Sequence, residues 1–169
     1  LESSKSFTRN LMKKYHIDAS PGFEVFSEIE TKDARKSFYD QYQGKIVVKA
    51  DGLIGGKGVL VSGEHFDTFQ QAEDFAINSI KKFGRVVLEE KLIGEEFSLI
   101  SIVDGVTVLD CPAVQDHKRA FEGDTGPNTG GMGSVSGQDH SLPFLTREDK
   151  EAAHNITVKV MKAIEKELG

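Results

Sequence analysis

The chain has 169 residues, of which 38% are hydrophobic, and this is enough to bury one core or two small lobes that share a cleft. A formal net charge of −6 and a pI near 5.4 argue against a nucleic-acid or anionic-membrane partner, because such partners are bound by clustered cations. A single cysteine, Cys111, excludes an internal disulfide and favours a reducing, cytoplasmic setting, and no apolar run approaches the roughly 20 residues of a transmembrane helix.

The first half of the chain predicts helices and strands in alternation. Apolar residues recur at helical spacing in three segments, and four short segments are rich in β-branched or aromatic residues. On the second helix we expect Ala34, Phe38 and Tyr42 to form the inner face. The predicted helices cover 4–16, 31–43 and 68–83, and the predicted strands cover 23–26, 45–50, 58–61 and 86–90.

The second half predicts a hairpin, a long loop and a final helix. The alternating run 96–103, the turn Asp104-Gly105 and the returning run 106–110 indicate two antiparallel strands. The segment 115–141 is dense in Gly, Asp, Asn and Thr without a periodic pattern, which predicts a functional loop. A helix is expected over 146–168. Because a hairpin interrupts the alternation, an α+β fold of two mixed lobes is favoured over a doubly wound parallel sheet.

The stretch VVKADGLIGGKGVLV, residues 47–61, places a glycine-rich turn between two strands. It differs from a Walker loop, because it lacks that spacing and the Ser/Thr and it leads into a strand rather than a helix. We expect a hairpin whose bare amides fold over a polyphosphate, with Lys49 directed at the same phosphates. The alternative is a flexible β-hairpin with a solvated Lys57.

The stretch LEEKLIGEEFS, residues 88–98, ends a strand in carboxylates and turns over Ile93-Gly94. We interpret it as a hinge between lobes whose free backbone N–H and C=O groups face an adenine edge. Glu96 would then accept hydrogen bonds from the ribose hydroxyls. The alternative is a charged edge turn that blocks strand aggregation.

The stretch QDHKRAFEGDTGPNTGGMGS, residues 115–134, gathers imidazole, ammonium and guanidinium groups beside Asp, Thr and Asn on a glycine-rich segment. Such a set can bind a phosphosugar and a carboxylate together, with the cations on anions, Asp124 on sugar hydroxyls and glycine amides on phosphate. A disordered loop would not need this variety of side chains.

Five stretches together resemble one family: KSFTRNLM, VVKADGLIGGKGV, LEEKLIGEEFS, QDHKR and GDTGPNTGGMG. They resemble the ATP-grasp domain of phosphoribosylamine–glycine ligases, also called glycinamide ribonucleotide synthetases, over nearly the whole chain. The resemblance implies an α+β ATP-grasp fold in which two mixed α/β lobes grip ATP between them. It implies an N-terminal helix over 1–22, a small lobe with a glycine-rich flap over 23–90, and an incomplete second lobe over 91–169 with a substrate loop over 115–141.

The resemblance also implies an activity and its site residues. The family ligates glycine to 5-phosphoribosylamine in purine biosynthesis, giving glycinamide ribonucleotide, ADP and phosphate through glycyl phosphate. Catalytic roles are implied for Lys49, Lys118 and Arg119. The implied ATP-binding residues are Lys5, Lys49, Gly52, Gly55, Gly56, Lys57, Gly58, Glu89, Glu90, Leu92 and Glu96. The implied substrate-binding residues are Asp116, His117, Lys118, Asp124, Thr125, Asn128, Thr129, Gly130, Gly131 and Met132.

The chain departs from the family pattern at several places. Ile54-Gly55 stands where two alanines are usual, Lys91 where an aromatic residue or leucine is usual, and Ser134 to Gly137 follows GGMG in place of alanine, tyrosine, serine and proline. The family's magnesium ligands, a glutamate and an asparagine, have no counterpart before Gly169. We therefore expect a fragment of the enzyme, with the magnesium ligands beyond the end of this chain.

Two other interpretations stay open at this point. One is a different ATP-grasp enzyme, such as a biotin-dependent carboxylase component or another purine-pathway ligase, which the stretch 115–134 disfavours. The other is a nucleotide-binding or scaffolding module that keeps the flap and hinge without turnover. ATP binding without phosphate release would support this second alternative.

Overall fold

The structure, a computed structural model, describes residues 1, 3–29, 31–54, 58–105, 107–123 and 125–169. These residues separate into two compact units, Leu1–Ile93 and Gly94–Gly169. The helices are α1 (Lys5–Lys14), α2 (Lys32–Gln41), α3 (Phe69–Phe83) and α4 (Arg147–Leu168). The strands are β1 (Phe23–Phe26), β2 (Ile46–Ala50), β3 (Val59–Val61), β4 (Val86–Glu90), β5 (Ser101–Val103), β6 (Val108–Asp110), β7 (Gln115–Phe121) and β8 (Thr125–Val135). In the described part of the chain, no helix is both long enough and apolar enough to cross a membrane.

A four-stranded antiparallel sheet organises the first unit, in the order β1–β4–β2–β3. The alternating residues Ile46, Val48 and Ala50 of β2 are buried, so Lys49 projects from the opposite face of the sheet. Val47 pairs with Glu89 on β4, which places Glu89 on the same face as Lys49. The strand pattern thus brings a lysine and a carboxylate together.

The core of this unit combines the sheet with α2 and α3. Its buried members are Phe26, Phe38, Ile46, Val48, Phe66, Ala72, Ala76, Ile80, Val86 and Leu88. Helix α3 begins with a capping box between Thr68 and Gln71 and ends at Gly84, whose φ of 79° is left-handed. Local signals therefore fix both ends of the helix that packs behind the central strands.

The inner face of α2 differs from the sequence prediction. Phe38 is buried and Tyr42 packs against the core as expected, but Ala34 is exposed and Arg35 is fully buried. Arg35 pairs with Glu73 on α3, 38 residues along the chain. Helical spacing predicted an apolar contact at Ala34, but the inward position is that of Arg35, whose partner Glu73 lies too far away in sequence to be inferred locally.

The second unit contains two antiparallel hairpins and α4. Ser101 pairs with Asp110 across β5 and β6, so the predicted antiparallel neighbours are confirmed, although β5 is shorter than the run 96–103. Helix α4 begins after Thr146, whose hydroxyl accepts a hydrogen bond from the Asp149 N–H, and it ends at Gly169. The predicted final helix is confirmed to within a residue at its start.

The prediction of a loop over 115–141 was wrong for most of that segment. Strands β7 and β8 form an antiparallel hairpin whose register shifts on both sides of Arg119. The described residues of both strands are exposed or half-buried, so no buried face imposes an alternating pattern. The glycines at 126, 131 and 133, which have positive φ, also make the sequence of β8 resemble that of a loop.

Candidate functional site

Two lysines from distant parts of the sequence line one cavity in the first unit. Lys5 lies in the first turn of α1 and Lys49 on β2, and both border a cavity of about 250 Å³. The other lining residues are Leu1, Thr8, Arg9, Val59 and Glu89. The structure therefore brings together the two lysines that the family resemblance assigns to ATP phosphates.

A buried carboxylate organises the cations of this cavity. Glu89 is 2% exposed, and its Oε2 lies 2.6 Å from Lys49 Nζ. Arg9 donates from Nε to Oε1 at 2.6 Å and from Nη2 to Oε2 at 3.1 Å. Burial by itself raises the pKa of Glu89, but the hydrogen bonds from Arg9 and Lys49 outweigh it and hold that pKa below its usual value. At neutral pH an ionised Glu89 therefore holds both cations in place.

Sequence reasoning assigned Glu89 to the adenine hinge and missed Arg9. The structure instead directs the Glu89 carboxylate at Lys49 and Arg9, in the cavity that Lys5 also lines. One signal could have found Arg9: it follows Lys5 by four residues on α1, so the two side chains share a helix face.

The glycine-rich segment leaves and rejoins the sheet as a hairpin. The Ala50 N–H donates to the Gly58 carbonyl at 2.8 Å, which confirms the predicted strand-loop-strand arrangement at its two ends. Gly52 has a φ of +122°, a conformation that residues with a Cβ rarely adopt. The predicted flap residues Gly55, Gly56 and Lys57 lie outside the described residues.

The residue before Gly52 makes contacts that the sequence analysis missed. The Asp51 carboxylate accepts from the Ser6 N–H at 3.1 Å, from the Ser6 hydroxyl at 2.6 Å and from the Ser4 hydroxyl at 3.0 Å. Burial raises the pKa of Asp51, but these hydrogen bonds outweigh it and hold that pKa below its usual value. Ser6 and Asp51 are 45 residues apart, so no local sequence pattern predicts this contact.

The segment predicted to recognise adenine is partly occupied by backbone pairing. The Glu90 N–H donates to the Gly22 carbonyl at 2.8 Å, and the Lys91 N–H donates to the Lys45 carbonyl at 3.0 Å. The expectation of free amides therefore fails at these two residues, because pairing continues one residue past β4. Leu92, the next residue, is 65% exposed.

In the second unit, Lys118 on β7 lies between two carboxylates. Its ammonium group is paired closely with Glu96 and lies 3.7 Å from the Asp116 carboxylate. The hydrogen bond with Glu96 raises the pKa of Lys118. The three side chains are between 32% and 74% exposed, so a ligand can reach them. The residue predicted to hold the ribose thus touches one predicted to hold the substrate.

The remaining predicted substrate residues follow the β7–β8 hairpin. Arg119 donates from Nη1 to the Gly126 carbonyl at 3.0 Å. The Thr129 hydroxyl donates to the Lys118 carbonyl at 2.9 Å and accepts from the Gly131 N–H at 3.0 Å. The exposed members of the set are His117, Thr125, Thr129, Gly130, Gly131 and Met132. In the strand register Asn128 lies opposite Arg119, and Asp124 is outside the described residues.

The described side chains do not fit a magnesium ion. Among them, no group of three or more His, Cys, Asp or Glu residues could hold a metal. Two of the three carboxylates predicted to bind ATP are paired with cations, Glu89 with Lys49 and Glu96 with Lys118. The expectation that magnesium ligands lie beyond Gly169 stays a prediction.

Comparison with known proteins identifies the family. Residues 3–169 match the family model of the phosphoribosylglycinamide synthetase ATP-grasp (A) domain. The chain belongs to this family. It is 49% identical over 165 residues to the phosphoribosylamine–glycine ligase of Methanoregula boonei, a match that covers 97% of this chain and 37% of the relative. The chain thus spans less than two fifths of that relative's length.

Solved structures confirm the fold of this family member. The crystal structure of phosphoribosylamine–glycine ligase from Thermotoga maritima matches with a TM-score of 0.78 and 35% identity, over 99% of this chain and 41% of that one. The D-alanine–D-alanine ligase of Bacillus anthracis matches with a TM-score of 0.66 over 96% of this chain and 48% of that one, at 17% identity, which shows the fold alone. The predicted α+β ATP-grasp fold is thereby confirmed.

Proposed function

We propose that the full-length protein joins glycine to 5-phosphoribosylamine at the expense of ATP, giving glycinamide ribonucleotide, ADP and phosphate in purine biosynthesis. The observation that carries the proposal is the 49% identity, over 97% of the chain, with a relative named phosphoribosylamine–glycine ligase. The cavity shared by Lys5 and Lys49, beside a glycine-rich hairpin, supports ATP as the energy source.

The first chemical step activates glycine, whose carboxylate is a poor electrophile. A carboxylate oxygen attacks the γ-phosphorus of ATP, the bond from that phosphorus to the β–γ bridging oxygen breaks, and ADP leaves. Such a transfer is catalysed mainly by positioning and by cations on the phosphates. We assign the cationic role to Lys5 and Lys49, with Glu89 and Arg9 holding Lys49 in place. No step is assigned to magnesium, because the described side chains do not fit it.

The second step makes the amide. The amine of phosphoribosylamine attacks the acyl carbon of glycyl phosphate, the C–N bond forms, the bond from carbon to the phosphate oxygen breaks, and the amine loses a proton. We assign the anionic groups of the substrates to Lys118 and Arg119, and the sugar hydroxyls and phosphate to the polar groups of 125–132. The accessible charges of β7 support this assignment.

The nucleoside end of ATP is assigned to residues 90–96. Two of the amides there are occupied, so we propose that the Glu90 carbonyl and the exposed Leu92 contact adenine. Glu96 would accept from the ribose diol while keeping Lys118, because two carboxylate oxygens offer about four acceptor sites. Glu96 would then contact both the ribose of ATP and Lys118, the lysine assigned to the substrates.

The experiment supplies full-length protein with ATP, glycine and phosphoribosylamine and measures ADP, phosphate and glycinamide ribonucleotide by mass spectrometry. We expect the three products in equal amounts and none when glycine is omitted. Lys49→Ala should abolish product formation, because it removes a phosphate-directed charge. The matched control is Lys45→Ala, which removes an exposed lysine directly before the start of the same strand.

Two outcomes would contradict the proposal. Product formation with another amino acid, but not with glycine, would favour a different ATP-grasp ligase. ATP binding without any phosphate release from the full-length protein would favour the nucleotide-binding module.

A further inference from the structure

Residues 51 and 52 are tied to the first turn of α1 by two different kinds of contact. Lys5 donates from Nζ to the Gly52 carbonyl at 2.8 Å. In the opposite sense, the Asp51 carboxylate accepts from Ser4 and from both the N–H and the hydroxyl of Ser6. Ser6 is fully buried, whereas Ser4, Lys5 and Asp51 are half-buried, so the junction is partly shielded from water.

The Asp51 carboxylate supplies a negative charge that the first turn of α1 lacks. The first turn of α1 contains no acidic residue, although a helix N-terminus carries partial positive charge and N–H groups without intrahelical partners. Asp51 supplies that negative charge from the end of β2. Its carboxylate is in turn fixed by the hydrogen bonds from Ser4 and Ser6, so it is held at the N-terminus of α1.

The junction connects the two elements that carry the phosphate-directed lysines. Lys49 lies two residues before Asp51, and Lys5 lies between Ser4 and Ser6, the two residues that Asp51 holds. A shift of α1 along the end of β2 would change the separation of the two ammonium groups. The position of Lys5 relative to Lys49 therefore depends on Asp51.

We propose that Asp51 is a positioning residue for polyphosphate binding: by capping α1 it holds the Lys5 ammonium over the cavity that Lys49 lines, so that both lysines reach one triphosphate. This inference rests on the proposed function, which makes these lysines phosphate ligands. When a polyphosphate binds, Lys5 exchanges the Gly52 carbonyl for a phosphate oxygen, while Asp51 keeps α1 fixed.

The test is a double-mutant cycle on the full-length protein, with the affinities for ATP and AMP measured by calorimetric titration. Asp51→Ala should weaken ATP binding about tenfold, as expected for the loss of one well-placed charged contact, and change AMP binding less than about twofold. In a Lys5→Ala background, Asp51→Ala should change ATP affinity less than about twofold, because the lysine that it positions is absent.

Conservative variants and a cap control separate positioning from mere folding. Asp51→Asn keeps the shape and one acceptor, so ATP affinity should stay within about threefold of wild type. Ser6→Ala removes one hydroxyl donor and provides a milder variant if Asp51→Ala does not fold. Thr68→Ala removes the cap of α3 in the same unit; it should lower the melting temperature and leave the ATP to AMP ratio unchanged.

The outcomes distinguish the two claims. If Lys5→Ala and Lys49→Ala weaken ATP and AMP equally, the phosphate assignment of the proposed function fails. If those variants behave as expected but Asp51→Ala weakens both nucleotides equally, or weakens ATP as much with Lys5 absent as with Lys5 present, Asp51 is only a structural cap and the inference is overturned.

Discussion

Replacing Arg35 by methionine should destabilise the first unit severely. The guanidinium donates to Glu73 from Nε at 2.8 Å and from Nη2 at 2.6 Å, and the two side chains are 0% and 1% exposed. It also donates to the Glu28 carbonyl at 2.9 Å, to the Ile29 carbonyl at 2.8 Å and to the Thr31 hydroxyl at 2.7 Å. These contacts fasten the connection between β1 and α2 to α3.

The magnitude follows from what each variant leaves behind. Arg35→Met leaves the Glu73 carboxylate buried without its ion-pair partner, which costs about 3–5 kcal/mol of the free energy of unfolding. The double variant Arg35→Met/Glu73→Leu removes both charges and should cost only about 2 kcal/mol, since the freed carbonyls of the exposed residues 28 and 29 can bind water. The double variant should therefore be more stable than Arg35→Met.

Urea unfolding of the 169-residue chain, followed by tyrosine fluorescence, measures this effect. The chain has no tryptophan, and its three tyrosines, Tyr15, Tyr39 and Tyr42, all lie in the first unit, so the signal reports on that unit. The control is Lys36→Met, which breaks an exposed pair with Asp40 on the same helix and should cost less than about 0.5 kcal/mol. A cost below about 1 kcal/mol for Arg35→Met, or a double variant as unstable as the sum of the single variants, would refute the reasoning.

Three further predictions concern the cavity and the hinge. Lys49→Ala should weaken ATP binding about tenfold and AMP binding hardly at all in calorimetric titration, because the lysine is proposed to bind the β- and γ-phosphates; equal losses would remove it from that role. Glu96→Gln should weaken ATP binding about fivefold but 2′-deoxy-ATP binding little, since its proposed ligand is the ribose diol, and equal losses would leave Glu96 with a structural role only. The pKa of Glu89 lies below its usual value of 4.5, so its ionised form stabilises the fold above that pH, and this contribution is lost as pH falls through the lowered pKa. The stability difference between wild type and Glu89→Gln should therefore shrink from pH 7 to pH 3, and a constant difference would contradict the assignment.

Features that depend on neighbouring residues could be predicted from the sequence. The predicted helices 4–16, 68–83 and 146–168 start at residues that do cap α1, α3 and α4, namely Ser4, Thr68 and Thr146, because capping needs only a hydroxyl and the next few N–H groups. The β2–β3 hairpin was also predicted, since a glycine-rich turn between two β-branched runs leaves few other arrangements.

Features that depend on distant residues could not be predicted. Arg9 and Glu89 are 80 residues apart, and Ser6 and Asp51 are 45 apart, so neither pair leaves a periodic or spacing signal. The burial of Arg35 was not predicted, because a charged residue at an inner helix position is rare unless it is paired. No feature of the sequence marks Glu73 on α3 as its partner. The β7–β8 hairpin was not predicted, because the described residues of neither strand form a buried face that would impose an alternation of apolar and polar residues.

The measurement that tests the central claim most directly follows the oxygen atoms of glycine. Full-length protein is supplied with ATP, phosphoribosylamine and glycine labelled with oxygen-18 in its carboxyl group, and the released phosphate is analysed by mass spectrometry. If glycine is activated as glycyl phosphate, each phosphate carries one labelled oxygen and the amide product keeps the other. Unlabelled phosphate, released at the rate of product formation, would contradict the account.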